Sequence, residues 1–304
     1  MSSLGALEDD AEEQRAGLLY ALIAYGIWGV APMYFVWVGF AAPLEILMHR
    51  VLWSVPLLIV LISVTRQWDA ALGLSRRELL FLLATALCLS ANWFTFIWAI
   101  QAERISDASL GYFINPLINV LLGWTFLRER MRPLQWLAVL VALTGVCIEL
   151  WVQRTLPWLG LTLALSFGFY GLLRKQVSVP AAIGLWVETT LMLPIALIFF
   201  FWLISQEGLR PEFEIAQLAL GGLISVVPLV FFAAAALRLP LTTLGFVQYL
   251  APSCALMLAV FVFNETVPEI RWTTFAFIWS ALLIFTMENI WNLRKRSRAS
   301  ISGL

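Results

Sequence analysis

The chain contains little charge and few of the residues from which catalytic or metal sites are built. Charged residues make up 12% of its 304 residues, and it has one histidine and three cysteines. It contains no clustered His, Cys and Asp ligand set, no Gly-x-Ser-x-Gly motif and no Gly-x-x-x-x-Gly-Lys-Ser/Thr phosphate loop. These absences argue against an enzyme and against a pump driven by nucleotide hydrolysis. No cofactor, metal or nucleic-acid partner is expected.

Long apolar runs dominate the rest of the sequence. Hydrophobic residues make up 62% of the chain, and the mean hydropathy is +0.88. A membrane-spanning helix needs about 20 apolar residues, and continuous runs indicate helices because barrel strands would alternate. The sequence therefore predicts an all-α membrane protein with ten transmembrane helices, at residues 17–40, 43–65, 78–101, 106–127, 133–152, 157–175, 181–204, 214–237, 241–263 and 270–292.

The basic residues indicate how the chain is oriented. Fourteen of the 19 Lys and Arg residues fall on the side that holds both termini, four fall on the opposite side, and Arg50 lies within a span. Cytoplasmic loops carry the excess of basic residues, so both termini are predicted to be cytoplasmic. Residues 1–16 are polar and acidic and are predicted to form a disordered tail, while residues 293–304 form a basic tail.

An internal repeat divides the spans into two halves. The matched positions, each 136 residues apart, are Pro116 and Pro252, Glu129 and Glu265, and Trp136 and Trp272. The halves cover residues 17–152 and 157–292, with five helices each. Because five is odd, the second half enters the membrane inverted relative to the first. Inverted repeats are typical of secondary transporters.

Several motifs resemble one group of membrane carriers. They are residues 45–54 (EILMHRVLWS), 92–99 (NWFTFIWA), 109–117 (SLGYFINPL), 167–175 (FGFYGLLRK) and 243–249 (TLGFVQY). Together they are similar to the RarD group of the EamA family, in the drug/metabolite transporter superfamily. The resemblance covers roughly residues 15–292. It implies a carrier of the bacterial inner membrane in which helices 1–4 and 6–9 surround a central cavity and helices 5 and 10 are peripheral.

Two prolines near the middles of helices 4 and 9 predict interruptions at membrane depth. Pro116 and Pro252 cannot bond back four residues, so the carbonyls of Tyr112 and Gln248 are freed. Such backbone is tolerated where it is buried or lines a wet cavity. We expect irregular backbone just before each proline, facing one shared cavity. Ordinary packing kinks are the alternative.

Polar and aromatic side chains near these prolines are candidates for contact with a substrate. Asn115 and Asn119 are four residues apart and share a helix face. Phenol and indole groups supply an amphiphilic lining. The candidate substrate-binding residues are Tyr112, Asn115, Asn119, Gln248, Tyr249, Asn92, Trp93 and Arg50.

Ionisable residues inside the spans are the other functional candidates, since charge at membrane depth is unfavourable. Arg50 suits a fixed role, pairing either a substrate carboxylate or an internal acid. Glu188 can be neutralised and suits proton coupling. Direct pairing of Arg50 with Glu188 is not expected because they lie about 10 Å from opposite membrane surfaces. Glu45 and His49 are four residues apart and can bond each other.

The sequence thus predicts a secondary transporter that moves a small amphiphilic metabolite or drug by alternating access around a midplane cavity. The family resemblance favours export. The candidate coupling and gating residues are Glu188, His49, Glu45, Pro116 and Pro252. The expected partners are a small molecule and the lipid bilayer, and the coupling ion is left open, with a proton as one candidate. A passive channel or facilitator is the main alternative, followed by a non-transporting intramembrane protein.

Overall fold

The computed structural model of the protein describes residues 3–101, 105–154, 158–262, 264 and 266–302. Within these residues the chain is helical and contains no strands. The helices are α1 (Ser3–Trp37), α2 (Pro43–Val64), α3 (Trp68–Leu72), α4 (Arg76–Gln101), α5 (Ile105–Phe126), α6 (Pro133–Gln153), α7 (Trp158–Lys175), α8 (Ala181–Glu207), α9 (Glu212–Arg238), α10 (Leu241–Gln248), α11 (Leu250–Phe261) and α12 (Glu269–Ser302).

Prolines mark many of the helix starts. Pro43 and Pro133 occupy the first turns of α2 and α6, where the missing N–H is not needed and the fixed φ suits the helix. Pro180, Pro211 and Pro240 lie immediately before α8, α9 and α10. Prolines therefore mark the starts of three helices in the second half of the chain.

Eight segments among the described residues are long and apolar enough to cross a membrane. They are Glu12–Trp37, Pro43–Val64, Arg76–Phe96, Pro133–Val152, Ala181–Glu207, Glu212–Arg238, Leu241–Phe261 and Glu269–Asn289. The last but one combines α10 and α11. The prediction of an all-helical membrane protein is confirmed. The count of ten spans stays a prediction, which would add α5 and α7 to these eight.

The N-terminus differs from the sequence prediction. Helix α1 begins at Ser3, so residues 3–16 continue the first apolar helix instead of forming a disordered tail. The segment contains Ala, Leu and Glu, which favour helix. Near its end, Glu13 forms an ion pair with Arg238 of α9, with 2.8 Å between the carboxylate and Nε.

The helices pack around a central group, with one pair at its flank. Helix α9 packs against α1 and α2, α7 packs against α4 and α5, and α5 also packs against α10. Helices α6 and α12 pack chiefly against each other. Ring contacts connect α12 to the centre, through Phe113 with Phe275 and Phe246 with Phe285. This arrangement leaves α2, α4, α5 and α9 to surround the site described next.

Candidate functional site

The guanidinium of Arg50 lies at the middle of the helix bundle. Its Nε donates a hydrogen bond to the hydroxyl of Ser225 at 2.7 Å, and Ser225 is the central residue of α9. The guanidinium carbon lies 4.8 Å from the ring centre of Trp93 and 5.8 Å from that of Phe35. Both distances are within the range of cation–π attraction. Arg50 and Trp93, two of the candidate substrate-binding residues, are therefore in contact in the structure.

Two glycines of α9 allow α2 to approach closely enough for this contact. A Cβ at Gly221 would lie 2.7 Å from the Tyr34 hydroxyl and 3.0 Å from Cγ of Arg50. A Cβ at Gly222 would lie 2.8 Å from the backbone of Trp53. Larger residues at these positions would push α2 away from α9. The Gly-Gly pair therefore sets the position of the arginine stem.

The other wall of the site is open. Tyr112 of α5 is 47% exposed, and its ring contacts Phe96 edge-on with 6.5 Å between centroids. Its phenol is close enough to Arg50 to interact with it electrostatically. We name the space bounded by Arg50, Trp93, Phe96, Tyr112 and Ser225 the Arg50 cleft. It combines one cation with aromatic faces and suits a small amphiphilic molecule.

The remaining polar candidates near the prolines form a packed junction instead of cleft lining. Asn119 of α5 donates from Nδ2 to Oε1 of Gln248 at 2.7 Å, and the Tyr249 hydroxyl donates to the carbonyl of Phe113 at 3.3 Å. All three predicted side chains are buried. The carbonyl of Pro116 would lie 2.6 Å from a Cβ at residue 245. We call this contact of α5 with α10 the α5–α10 junction.

Asn115 and Asn119 each leave a buried amide oxygen without a hydrogen-bond partner among the described residues. A buried acceptor without a partner is unfavourable. The amide nitrogen of Asn92 is fully used, since it donates to the Leu163 carbonyl at 2.9 Å and to the Ser166 hydroxyl at 3.1 Å. Asn92 therefore ties α4 to α7, while its neighbour Trp93 faces the Arg50 cleft.

The backbone is interrupted at only one of the two predicted places. Helix α10 ends at Gln248 and α11 begins at Leu250, so the interruption before Pro252 is present. Helix α5 continues through Pro116, and the predicted irregular backbone before it is wrong. A proline removes one helical hydrogen bond, and packing on both sides, here by α7 and α10, holds the helix continuous.

Glu188 lies in a separate, fully enclosed cluster. Its carboxylate accepts hydrogen bonds from the Thr85 hydroxyl at 2.7 Å and from the Tyr170 hydroxyl at 3.2 Å. Nη1 of Arg174 lies 3.9 Å away, and both charged side chains have no exposed surface. Arg50 and Glu188 thus have different partners.

Sequence reasoning missed Arg174, which it counted only among the basic residues on the side that holds both termini. The guanidinium lies directly over Gly184, where a Cβ would come within 1.9 Å of Nη1. Its three nitrogens have no hydrogen-bond partner among the described residues. The available signal was small: Arg174 follows the apolar run without a polar spacer, and Gly184 precedes Glu188 by one helical turn.

The sequence suggested that Glu45 and His49 bond each other, but in the structure each has a different partner. Both oxygens of Glu45 accept from the Arg210 guanidinium, at 2.8 Å for Nη2, and this contact raises the pKa of Arg210 above its ordinary value. Nδ1 of His49 accepts from the Trp53 indole at 3.3 Å, and its ring contacts Phe200 of α8. The Arg210 side chain, which is longer than that of His49, reaches Glu45 from the α8–α9 loop and donates hydrogen bonds to both carboxylate oxygens.

Glu129, which follows α5, bonds to the start of α10. Its Oε1 and Oε2 accept from the backbone N–H groups of Leu241 and Thr242, at 2.6 and 2.9 Å. A carboxylate at this place caps α10 and is favoured by the helix dipole. Its repeat equivalent, Glu265, lies outside the described residues.

Comparison with known proteins adds family information to this geometry. The model of the EamA-like transporter family matches residues 15–151. A Vibrio cholerae protein named as an uncharacterized transporter is 47% identical over 92% of this chain and 95% of its own length. The Escherichia coli protein RarD is 44% identical over 95% of this chain and all of its own length.

A solved crystal structure shares the fold. It superposes with a TM-score of 0.68 over 90% of this chain and 98% of its own, at 17% sequence identity. At this identity the likeness concerns the fold alone.

Proposed function

We propose, for a chain that belongs to the RarD group of the EamA-like transporter family, that it is a secondary carrier exporting a small amphiphilic solute. It is a multi-pass protein of the bacterial inner membrane. The Arg50 cleft is the proposed binding site. The observation that carries this proposal is that equivalent positions in the two halves of the chain are exposed in one half and buried in the other.

The helix contacts support an inverted repeat. The proposed symmetry exchanges α1, α2, α4, α5 and α6 with α7, α8, α9, α10–α11 and α12, respectively. Under this exchange the α1–α9 contact corresponds to the α7–α4 contact, and the α5–α7 contact corresponds to that of α10–α11 with α1. All of these contacts are present. The pairs α2–α8, α5–α10 and α6–α12 exchange with themselves. The family model also covers a length close to that of one proposed half. Two five-helix units related by a two-fold axis account for this pattern.

Equivalent positions of the two halves are packed differently. Tyr112 is 47% exposed, whereas its equivalent Gln248 is 6% exposed. Phe96 is partly exposed, and its equivalent Phe232 has no exposed surface. With both termini cytoplasmic, the open positions belong to the outer half of the membrane. The arrangement then corresponds to a carrier open to the outside and closed to the cytoplasm.

Contacts at the proposed cytoplasmic end support the closure. The Phe232 ring packs against the rings of Tyr25, Phe167 and Tyr170, with centroids 5.0 to 6.1 Å apart. Beyond these rings, Glu129 caps α10. Nζ of Lys175 donates to the carbonyl of Ala236 at 3.3 Å, and also to that of Leu239. Of these contacts, Tyr25 with Phe232 and Glu129 with the start of α10 join the two halves, so we expect them to separate when the cytoplasmic side opens.

Alternating access then requires the reverse state, in which the α4–α5 half closes and the α9–α10 half opens. The interruption at Tyr249 lies beside the α5–α10 junction, where such a movement is expected to bend the chain. Release of the Asn119–Gln248 hydrogen bond would expose the amides predicted to contact substrate. In this scheme Asn119, Gln248 and Tyr249 meet the solute in the inward state, and Arg50, Trp93 and Tyr112 meet it in the outward state.

Glu188 is the proposed coupling residue. Its bonds to Thr85 and Tyr170 and its approach to Arg174 connect α4, α7 and α8, helices from both halves. A proton that neutralises the carboxylate would weaken these bonds together. Glu188→Gln should therefore remove the pH dependence of transport while leaving solute binding intact. Unchanged pH dependence in reconstituted flux would exclude Glu188 as the coupling site.

Solute counterflow in proteoliposomes tests the carrier proposal. A carrier preloaded with unlabelled solute should accumulate labelled solute transiently and should saturate, since each turnover returns one binding site. A panel of small amphiphilic metabolites and drugs, each tested with and without a pH gradient, would identify the solute. Non-saturating conductance without counterflow would favour the passive channel, and absence of any solute movement would favour a non-transporting protein.

A further inference from the structure

We propose that the Arg50 cleft binds the carboxylate of an organic monoanion, whose apolar body lies against Trp93 and Tyr112. This substrate class rests on the carrier function proposed above. It resolves the choice, left open by the sequence, between an internal acid and a substrate carboxylate as the partner of Arg50.

The first support is that Arg50 is not compensated by an acid. Among the described residues no carboxylate oxygen lies within 4.0 Å of its guanidinium. Other arginines that contact the bundle have such a partner: Arg210 contacts Glu45, Arg132 contacts Glu288, Arg271 contacts Glu149 and Arg174 contacts Glu188. An isolated cation at membrane depth is unfavourable. A bound anion would offset that cost, and the guanidinium is suited to bind one.

The second support is that the hydrogen-bonding edge of Arg50 is available. Nε is occupied by Ser225, whereas Nη1 and Nη2 have no hydrogen-bond partner among the described residues, and neither is sealed from the cleft. These two nitrogens form the planar fork that matches the two oxygens of a carboxylate. Ser225 itself donates to the carbonyl of Gly221 at 2.7 Å, which fixes its lone pairs toward Nε.

The surroundings of the fork limit the charge of the ligand. No second Lys or Arg contacts the cleft in the part of the chain that the structure describes, so a dianion such as a phosphate monoester would remain half compensated. Glu45, one helical turn before His49, is bonded to Arg210, and Glu188 is enclosed in its own separate cluster. A ligand ammonium would therefore lack a carboxylate partner. The walls supply aromatic faces, which suit an uncharged apolar body.

Matched pairs of probes test this assignment in the purified, detergent-solubilised protein. Benzoate and 3-phenylpropionate are compared with benzamide, 3-phenylpropionamide and phenethylamine by isothermal titration. We expect the acids to bind at least tenfold more tightly than their amides, and the amine not to bind. Equal affinity of acid and amide, tighter binding of the amine, or binding of no probe would overturn the anion assignment.

Substitutions identify Arg50 as the group responsible. Arg50→Gln should reduce acid affinity at least tenfold and leave amide affinity unchanged, and Arg50→Lys should fall between, because it keeps the charge and loses the fork. Arg76→Gln, at an exposed helix end, is the matched control. Ser225→Ala, which keeps Arg50, should weaken acid binding about threefold and remains informative if Arg50→Gln does not fold. Acid affinity that is the same in all variants would overturn the proposal.

The carrier function can fail separately. If the acids bind through Arg50 but show no counterflow in proteoliposomes, the anion site stands and the transport proposal falls. If counterflow is found for a neutral or cationic solute and is insensitive to Arg50→Gln, the carrier stands and the anion site falls.

Discussion

At the scale of single residues, glycines determine where the buried arginines lie. Gly221 receives the stem of Arg50, and Gly184 receives the guanidinium of Arg174. Each arginine has room in the bundle interior because the facing helix has a glycine, without a side chain, at that point. The buried charges of this protein are therefore specified by pairs of residues on different helices.

The contact at Gly184 gives a direct prediction. Gly184→Ala should displace the Arg174 guanidinium, because the added Cβ would lie 1.9 Å from Nη1. Disruption of a buried ion pair costs about 3–5 kcal/mol, so we expect a loss of unfolding free energy near that range. Gly26→Ala is the matched control, since its Cβ meets no atom within 4 Å. Denaturant unfolding in detergent measures both, and equal stability of the two variants would contradict the described cluster.

At the scale of elements, the two proline-containing helices are not equivalent in this conformation. Helix α5 passes through Pro116 without interruption, whereas the ninth predicted span is divided at Tyr249. The repeat places both prolines at corresponding positions, so the difference arises from packing around them. The divided helix belongs to the half proposed to move when the cytoplasmic side opens.

Pro252→Ala should allow a continuous helix across Tyr249 by restoring the N–H that proline lacks. We expect transport to fall by roughly tenfold, as for hinge substitutions in gated proteins, while the unfolding free energy changes by less than about 1 kcal/mol. Pro194→Ala, at an exposed position within α8, is the control. Flux and unfolding are measured on the same preparations. A Pro252→Ala variant with normal flux would identify the interruption as a packing kink.

The cap of α10 is a second feature at this scale. Glu129→Gln should weaken the bonds to the N–H groups of Leu241 and Thr242, because the charged acceptor becomes neutral. Amide hydrogen exchange at these two residues should accelerate about tenfold. Glu207→Gln, an exposed acid in α8, is the control. If exchange at the start of α10 stays unchanged, Glu129 does not hold the cytoplasmic closure.

At the scale of the whole molecule, the orientation in the membrane decides which side the Arg50 cleft faces. Cysteines introduced at Arg154 and Glu207 should be labelled from outside intact cells by a membrane-impermeant maleimide, and a cysteine at Arg76 should not. All three positions are exposed, so access is not limited by packing. Labelling of Arg76 in lysed cells is the control for reactivity. The opposite pattern would reverse the direction assigned to the Arg50 cleft.

The sequence by itself determined the class of structure, because long apolar runs in a membrane have only the helix available to them. It also identified the family, the spacing of the repeat, Arg50 and Glu188 as charged residues at membrane depth, and Trp93 as a candidate binding residue. These features depend on composition and on distance along one chain segment.

Tertiary structure decided which of these residues meet. In the folded protein Arg50 contacts Ser225 and Trp93, and Glu45 pairs with Arg210 and not with His49. Arg174 is buried against a glycine of another helix. It also packed Asn119 and Gln248 against each other instead of opening them to the cleft. Helix periodicity gives the face on which a side chain lies, but the partner on that face is set by how closely two helices approach and by how far each side chain extends.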